Sequence, residues 1–154
     1  MYGLHVRTGK SVPFEQIHRM GKNSEVIEIG DIIQEENGYA LASANSDRVV
    51  GIAAETKTFD SDNVTVAKYK LAMVPAYQGI VFEADLDADT TYATAVGFYA
   101  VLTGATGAMQ LSFSSLSATV GQFRITELDP RGTSSATRVL CTPVFTAFSH
   151  TTAS

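Results

Sequence analysis

The sequence predicts an all-β protein, mainly strand with at most a short helix. The expected form is a small β-barrel or sandwich of about ten short strands behind an extended N-terminal arm. Three observations carry this. Turn signals recur at intervals near ten residues, the spacing of sandwiches and barrels. Small and β-branched residues are abundant while the charged share is only 18%, below the usual quarter of a soluble domain. Apolar residues alternate or bunch in short runs and do not recur at the helical period. No period repeats cleanly, which argues against a solenoid. At 154 residues the chain has room for one domain with a real core.

Residues 1–24 show no sustained period and read as the extended arm. After Pro13, Phe14 to Met20 has the composition of two helical turns, too short to stand without a partner. Residues 25–154 form the expected β-body. Glu25 to Ile29 starts its first strand. The stretch from Gly30 to Glu55 then organises the chain into three strands with turns between them. Gly30-Asp31 leads into Ile32-Ile33, Asn37-Gly38 into Tyr39-Ala40-Leu41, and Asn45-Ser46-Asp47 into Val49 to Ala53. Asn-Gly between apolar runs signals a hairpin, because both residues tolerate positive φ.

Thr56 to Asn63 reads as a polar loop, and Val64 to Val66 and Tyr69 to Val74 as strands, the second ended by Pro75. Gly79 to Phe82 is a strand running into the acidic segment Glu83 to Asp89. Thr90 to Val96 has room for one helical turn, with Gly97 as its C-terminal cap. Phe98 to Leu102 is a strand, Thr103 to Gly107 a turn, Met109 to Phe113 an alternating strand, and Ser114 to Gly121 a Ser/Thr-rich loop. Gln122 to Leu128 alternates like a half-buried strand. Asp129-Pro130-Arg131-Gly132 is a turn by composition, and Val139 to Phe148 is a closing strand broken near Pro143.

Charge is unevenly spread. Residues 1–24 carry Arg7, Lys10, Arg19 and Lys22 against Glu15 alone, a charge of +3, which leaves −8 on the remainder of the −5 total. A net negative chain lacks the basic footprint of a nucleic-acid binder. The basic arm is instead a candidate partner contact. So is the row Glu83, Asp85, Asp87 and Asp89, expected as a solvated or partner-facing edge whose charges discourage unwanted pairing.

Chemical motifs fail on inspection. Thr8-Gly9-Lys10-Ser11 ends like a phosphate-binding loop, but Leu4 stands where the first glycine is needed. Asp85, Asp87 and Asp89 match the first ligands of a calcium loop. Thr90 and Val96 then occupy the positions that demand glycine and glutamate. A looser divalent site on that strand face is the remaining metal possibility. His5, His18 and His150 lie in the termini without ligand spacing. There is no Gly-x-Ser-x-Gly elbow, and the absence of Trp counts against a sugar cleft. No catalytic residue, cofactor or metal is assigned, and an enzyme is not expected. The single cysteine, Cys141, is expected as a buried small hydrophobe. Neither a secretory h-region nor an apolar membrane span is found, so a soluble protein made in a cytosol-like compartment is expected.

From about residue 28 to 148 the chain resembles the decoration, or cement, proteins of tailed-phage capsids. The resemblance lies in Gly30-Asp31-Ile32-Ile33, the Asn37-Gly38-Tyr39 turn and Val49-Val50-Gly51-Ile52-Ala53-Ala54-Glu55. It continues through Phe82-Glu83-Ala84, Ala95 to Tyr99, Phe123-Arg124-Ile125 and Leu128 to Arg131, and ends in Val139 to Phe145. The resemblance implies a structural virion protein made in the host cytoplasm. Such a protein binds the outer surface of the expanded head as a trimer at three-fold and local three-fold sites, where it clamps major capsid protein subunits. It implies partners in the major capsid protein and other copies of the chain, with no direct nucleic-acid or membrane contact. It also implies an arm that adds a strand to the capsid lattice, so that removing residues 1–24 leaves the body folded but unable to bind shells. The rival reading is a phage tail or baseplate domain, or a carbohydrate-binding β-sandwich.

Overall fold

Ile32-Ile33, Gly51-Ile52-Ala53 and Leu71 to Val74 are too continuously apolar for strands with one wet face, and the tertiary structure shows both faces covered. The computed structural model describes residues 5–6, 17–21, 24–36, 39–43, 48–59, 70–77, 79–129 and 136–146. Within them run β1 (His5–Val6), β2 (Ile17–Gly21), β3 (Val26–Ile27), β4 (Ile32–Glu36), β5 (Tyr39–Ala42), β6 (Gly51–Ala53) and β7 (Lys57–Thr58). β8 (Lys70–Pro75), β9 (Phe82–Thr90), α1 (Tyr92–Ala95), β10 (Tyr99–Ala100), β11 (Leu102–Thr103), β12 (Gln110–Leu111), β13 (Phe123–Leu128) and β14 (Ala136–Pro143) follow. Across the described residues the fold is all-β with one short helix, as the sequence predicts.

Five strands close a small barrel in the order β2-β5-β4-β6-β8. All its pairs are antiparallel except β2 with β5. The β4–β5 register sets Glu36 opposite Tyr39, leaving two residues for the turn, as the Asn37-Gly38 signal requires; those two lie outside the described residues. Side chains alternate across the barrel wall. Ile33, Ala40, Ala53, Leu71 and Met73 join Ile27, Val50 and Phe59 in one core. Ile32, Ile52 and Val74, each next to one of these, belong to the other core. The antiparallel pair β3–β7 flanks the barrel and delivers Ile27 and Phe59 to it. Phe59 is pinned by backbone bonds to Ser24 and Glu25. Its ring fills the space that a Cβ on Gly21 would need, so β2 needs glycine at that point.

The second sheet runs β10-β13-β14-β9-β12-β11, with β1 added to β9. Val101 alone separates β10 from β11, so one backbone segment pairs with β13 at one end and β12 at the other. The sheet therefore curls almost closed. Phe82, Ala84, Leu86, Ala100, Leu102, Leu111, Phe123, Ile125, Val139 and Cys141 pack together as its core, each nearly inaccessible. Their period of two identifies the covered face of each strand. α1 contributes Ala95 and stops at Gly97, whose φ of +90° suits a residue without Cβ. Cys141 is the buried small hydrophobe foreseen.

The two sheets share material. Ile32, Val49, Ile52, Val74 and Ala76, from the barrel and its flanks, complete the core of the second sheet. Backbone joints reinforce the seam: Val49 N–H donates to Phe145 O at 3.0 Å, and Ile32 N–H to Met109 Sδ at 3.2 Å.

Several elements depart from the sequence reading. Residues 17–21, expected within the arm and partly as helix, are a barrel strand. An isolated short helix is unstable, whereas β5 and β8 each offer this segment a full edge, and closure satisfies both. The boundary at residue 24 is therefore not one that strand pairing respects. Lys57–Thr58 is a strand within the expected loop 56–63. β9 begins at Phe82, later than the expected Gly79, and runs through the acids for 9 residues. The expected strand 109–113 shortens to β12 and gives way to a 3-10 turn at Phe113–Ser115. The closing strand begins earlier and ends at Pro143, where the missing N–H ends the ladder. The expected strand Val64 to Val66 and the turns at Asn45 to Asp47 and Pro130 to Gly132 lie outside the described residues.

Candidate interaction surfaces

β9 presents its acids as strand geometry dictates. Phe82, Ala84, Leu86 and Thr90 are buried, while Glu83, Asp85, Asp87 and Asp89 alternate with them and are half-buried or exposed. The four carboxylates thus share one face, as the sequence spacing implies. They do not form an edge. β14 pairs with β9 on one side, from Cys141↔Phe82 to Ala136↔Thr90. On the other side lie β1, at His5↔Glu83 and Val6↔Phe82, and β12, at Leu111↔Leu86. The expectation of an acidic edge is corrected: alternating acids need one wet face, and an interior strand of a one-sided sheet provides it.

Two of the acids have structural work. Asp85 sits opposite Arg138 in the β9–β14 register, and Arg138 Nε donates to its Oδ1 at 3.3 Å. The Phe113 N–H donates to Asp87 Oδ1 at 2.7 Å, so this carboxylate fastens the start of the 3-10 turn. Among the described residues no group of three or more His, Cys, Asp or Glu side chains is placed to hold a metal ion. Alternate residues on one strand stand roughly 6.5–7 Å apart, and Arg138 already occupies Asp85. The looser divalent site considered for this face is not formed there.

Of the basic candidates, Arg19 lies on β2, at the register position of Leu71 on β8. Arg7, Lys10 and Lys22 lie outside the described residues. The strand pairing nevertheless brings the two predicted contact regions together, because the N-terminal strand β1 runs along the acidic strand β9.

A second surface was not legible in sequence. Where β10 gives way to β11, an open groove of about 590 Å³ is lined by Tyr99, Ser115, Val120, Gln122, Val144 and Phe145, among others. Val120 on its rim is 69% exposed, and the Arg48 guanidinium stands 5.3 Å from the centre of the Phe145 ring, a cation–π distance. Its polar groups serve the backbone. Leu102 N–H donates to Gln122 Oε1 at 2.8 Å, and Val101 N–H donates to Ser115 Oγ at 3.0 Å. These side chains replace ladder bonds at the point where the strand changes partners. The sequence signal was weak: Gln122 reads only as the first residue of an alternating strand.

The seam holds one buried carboxylate. Asp31 is 1% exposed; Glu28 N–H donates to its Oδ2 at 2.9 Å and Gly107 N–H to its Oδ1 at 2.9 Å. Burial raises its pKa above the ordinary 3.8, with the Glu28 charge adding to the rise and the two backbone bonds opposing it. Asp31 thereby ties the turn before β4 to the loop before β12.

No protein-family model matches the chain, and no curated protein matches it.

Proposed function

We propose that the chain is a structural virion protein that decorates the outside of an expanded tailed-phage capsid. In this reading it self-associates, as a homotrimer at three-fold and local three-fold sites, and clamps neighbouring major capsid protein subunits. One observation carries the reading: the segments that resemble the decoration family are framework strands of both sheets. Gly30 to Glu55 spans β4, β5 and β6; Phe82 to Ala84 opens β9; Phe123 to Ile125 opens β13; and Val139 to Pro143 lies in β14. The basic N-terminal segment with Arg7, Lys10, Arg19 and Lys22, and the acidic face of β9, are the contact regions. No catalytic residue, cofactor, nucleic acid or membrane enters.

The test is co-sedimentation of the purified protein with expanded shells of the major capsid protein encoded in the same genome. Saturable binding and a raised shell-disassembly temperature are the expected results. Absence of binding to expanded shells, or retention on isolated tails or glycans in its place, overturns the reading.

A further inference from the structure

We infer that the Phe82–Glu83 edge of β9 is an acceptor slot through which copies of this chain exchange their N-terminal strands. This deepens the self-association proposed above and rests on it, but not on the capsid as partner.

The slot is defined by pairing. β14 occupies one side of β9 along its length, and β12 covers the other side only at Leu86. Among the described residues, the stretch at Phe82 and Glu83 is paired on that side by β1. β1 is 2 residues long, so its own ladder is marginal, and local opening there costs far less than global unfolding. Residues 7–16 connect it to β2. Ten residues have a contour of up to roughly 33–36 Å, comparable with the diameter of a small domain and long enough to carry β1 to an adjoining copy.

Charge selects the occupant. Residues 1–16, the part that precedes β2, carry Arg7 and Lys10 against Glu15, a charge of +1, and the remainder carries −6, so two bodies brought together without these segments repel. An arm crossing from one copy to the acidic face of the next puts opposite charges at the junction. It does so with the contacts the isolated chain already makes, which is why exchange of identical elements is a low-cost route to assembly. Within an assembly neighbouring slots stand at high effective concentration, which brings the crossed arrangement within reach beside the uncrossed one.

The experiment uses two single-cysteine additions to the full chain, His5→Cys and Glu83→Cys. These positions are cross-strand partners, within the Cα separation a disulfide tolerates, and the native Cys141 is fully buried. The two variants are mixed at high concentration, oxidised and run on a non-reducing gel, with the wild type and the double variant alongside. A covalent heterodimer of the two single variants, exceeding either homodimer and reduced by high salt, is the expected result. A double variant that closes only on itself, with no heterodimer in the mixture, overturns exchange. Failure of the double variant to close at all, with circular dichroism showing a folded protein, overturns the slot itself. Shell co-sedimentation of the same variants reads the capsid proposal separately: binding without heterodimer rejects exchange and leaves decoration standing.

Discussion

At the residue scale, Asp31 shows how one side chain can do a job that composition conceals. Its two carboxylate oxygens each take a backbone N–H, from Glu28 and Gly107. Asp31→Asn keeps the shape but sets an NH₂ against one of those donors. The expected destabilisation at neutral pH is about 1–3 kcal/mol. The pH dependence has a definite sign. Burial raises the folded pKa above 3.8, so the folded state holds the proton more tightly than the unfolded one. The Asp31 contribution is full below pH 3.8 and is lost as pH rises through the raised value. Urea denaturation of both proteins across this range checks it: the wild-type advantage over Asp31→Asn shrinks as pH rises, and a growing advantage contradicts the assignment. In the sequence Asp31 is legible only as part of a Gly-Asp turn, because the backbone donor at Gly107 lies far along the chain.

At the scale of elements, β2 separates what local pattern can tell from what pairing decides. Residues 14–20 look like an unattached helical turn, and nothing nearby in sequence says otherwise. The strand forms because β5 and β8 present edges that, among the described residues, Ile17–Gly21 closes. The expectation that residues 1–24 can be removed without harm therefore changes. Deleting 1–16 keeps the barrel, whereas deleting 1–24 removes two ladders whose hydrogen bonds contribute about 0.5–1.5 kcal/mol each. Thermal unfolding by circular dichroism is expected to show a small loss in midpoint for the shorter deletion and a large one for the longer. Equal midpoints count against β2 as a barrel strand. β9 teaches the converse: its acids were visible in order and on one face, but its interior position was set by β1, β12 and β14, which come from both ends of the chain.

At the scale of the whole molecule, the barrel and the curled sheet are not independent. Ile52 points out of the barrel into the core of the second sheet while its neighbour Ala53 packs in the barrel. Ile52→Ala is expected to cost about 2–5 kcal/mol, as for other buried aliphatic truncations. Because the cores meet there, the loss is expected in a single cooperative transition seen alike by far-ultraviolet circular dichroism and tyrosine fluorescence. Two separated transitions, with only one moved by the substitution, indicate that the sheets unfold independently.

The sequence by itself determined the β class, the hairpin at Asn37-Gly38, the caps and turns at Gly30, Gly97 and Gly104, the buried Cys141 and the shared face of the β9 acids. All of these follow from φ preference or from a period of two, which are local properties. Tertiary structure alone decided that Ile17–Gly21 closes a barrel, that β9 is interior, that Arg138 meets Asp85, and that Gln122 bridges the break between β10 and β11. Each of those joins residues distant in sequence. A backbone donor or a charge takes whatever partner the fold brings within about 3 Å, and no local pattern encodes which one that is.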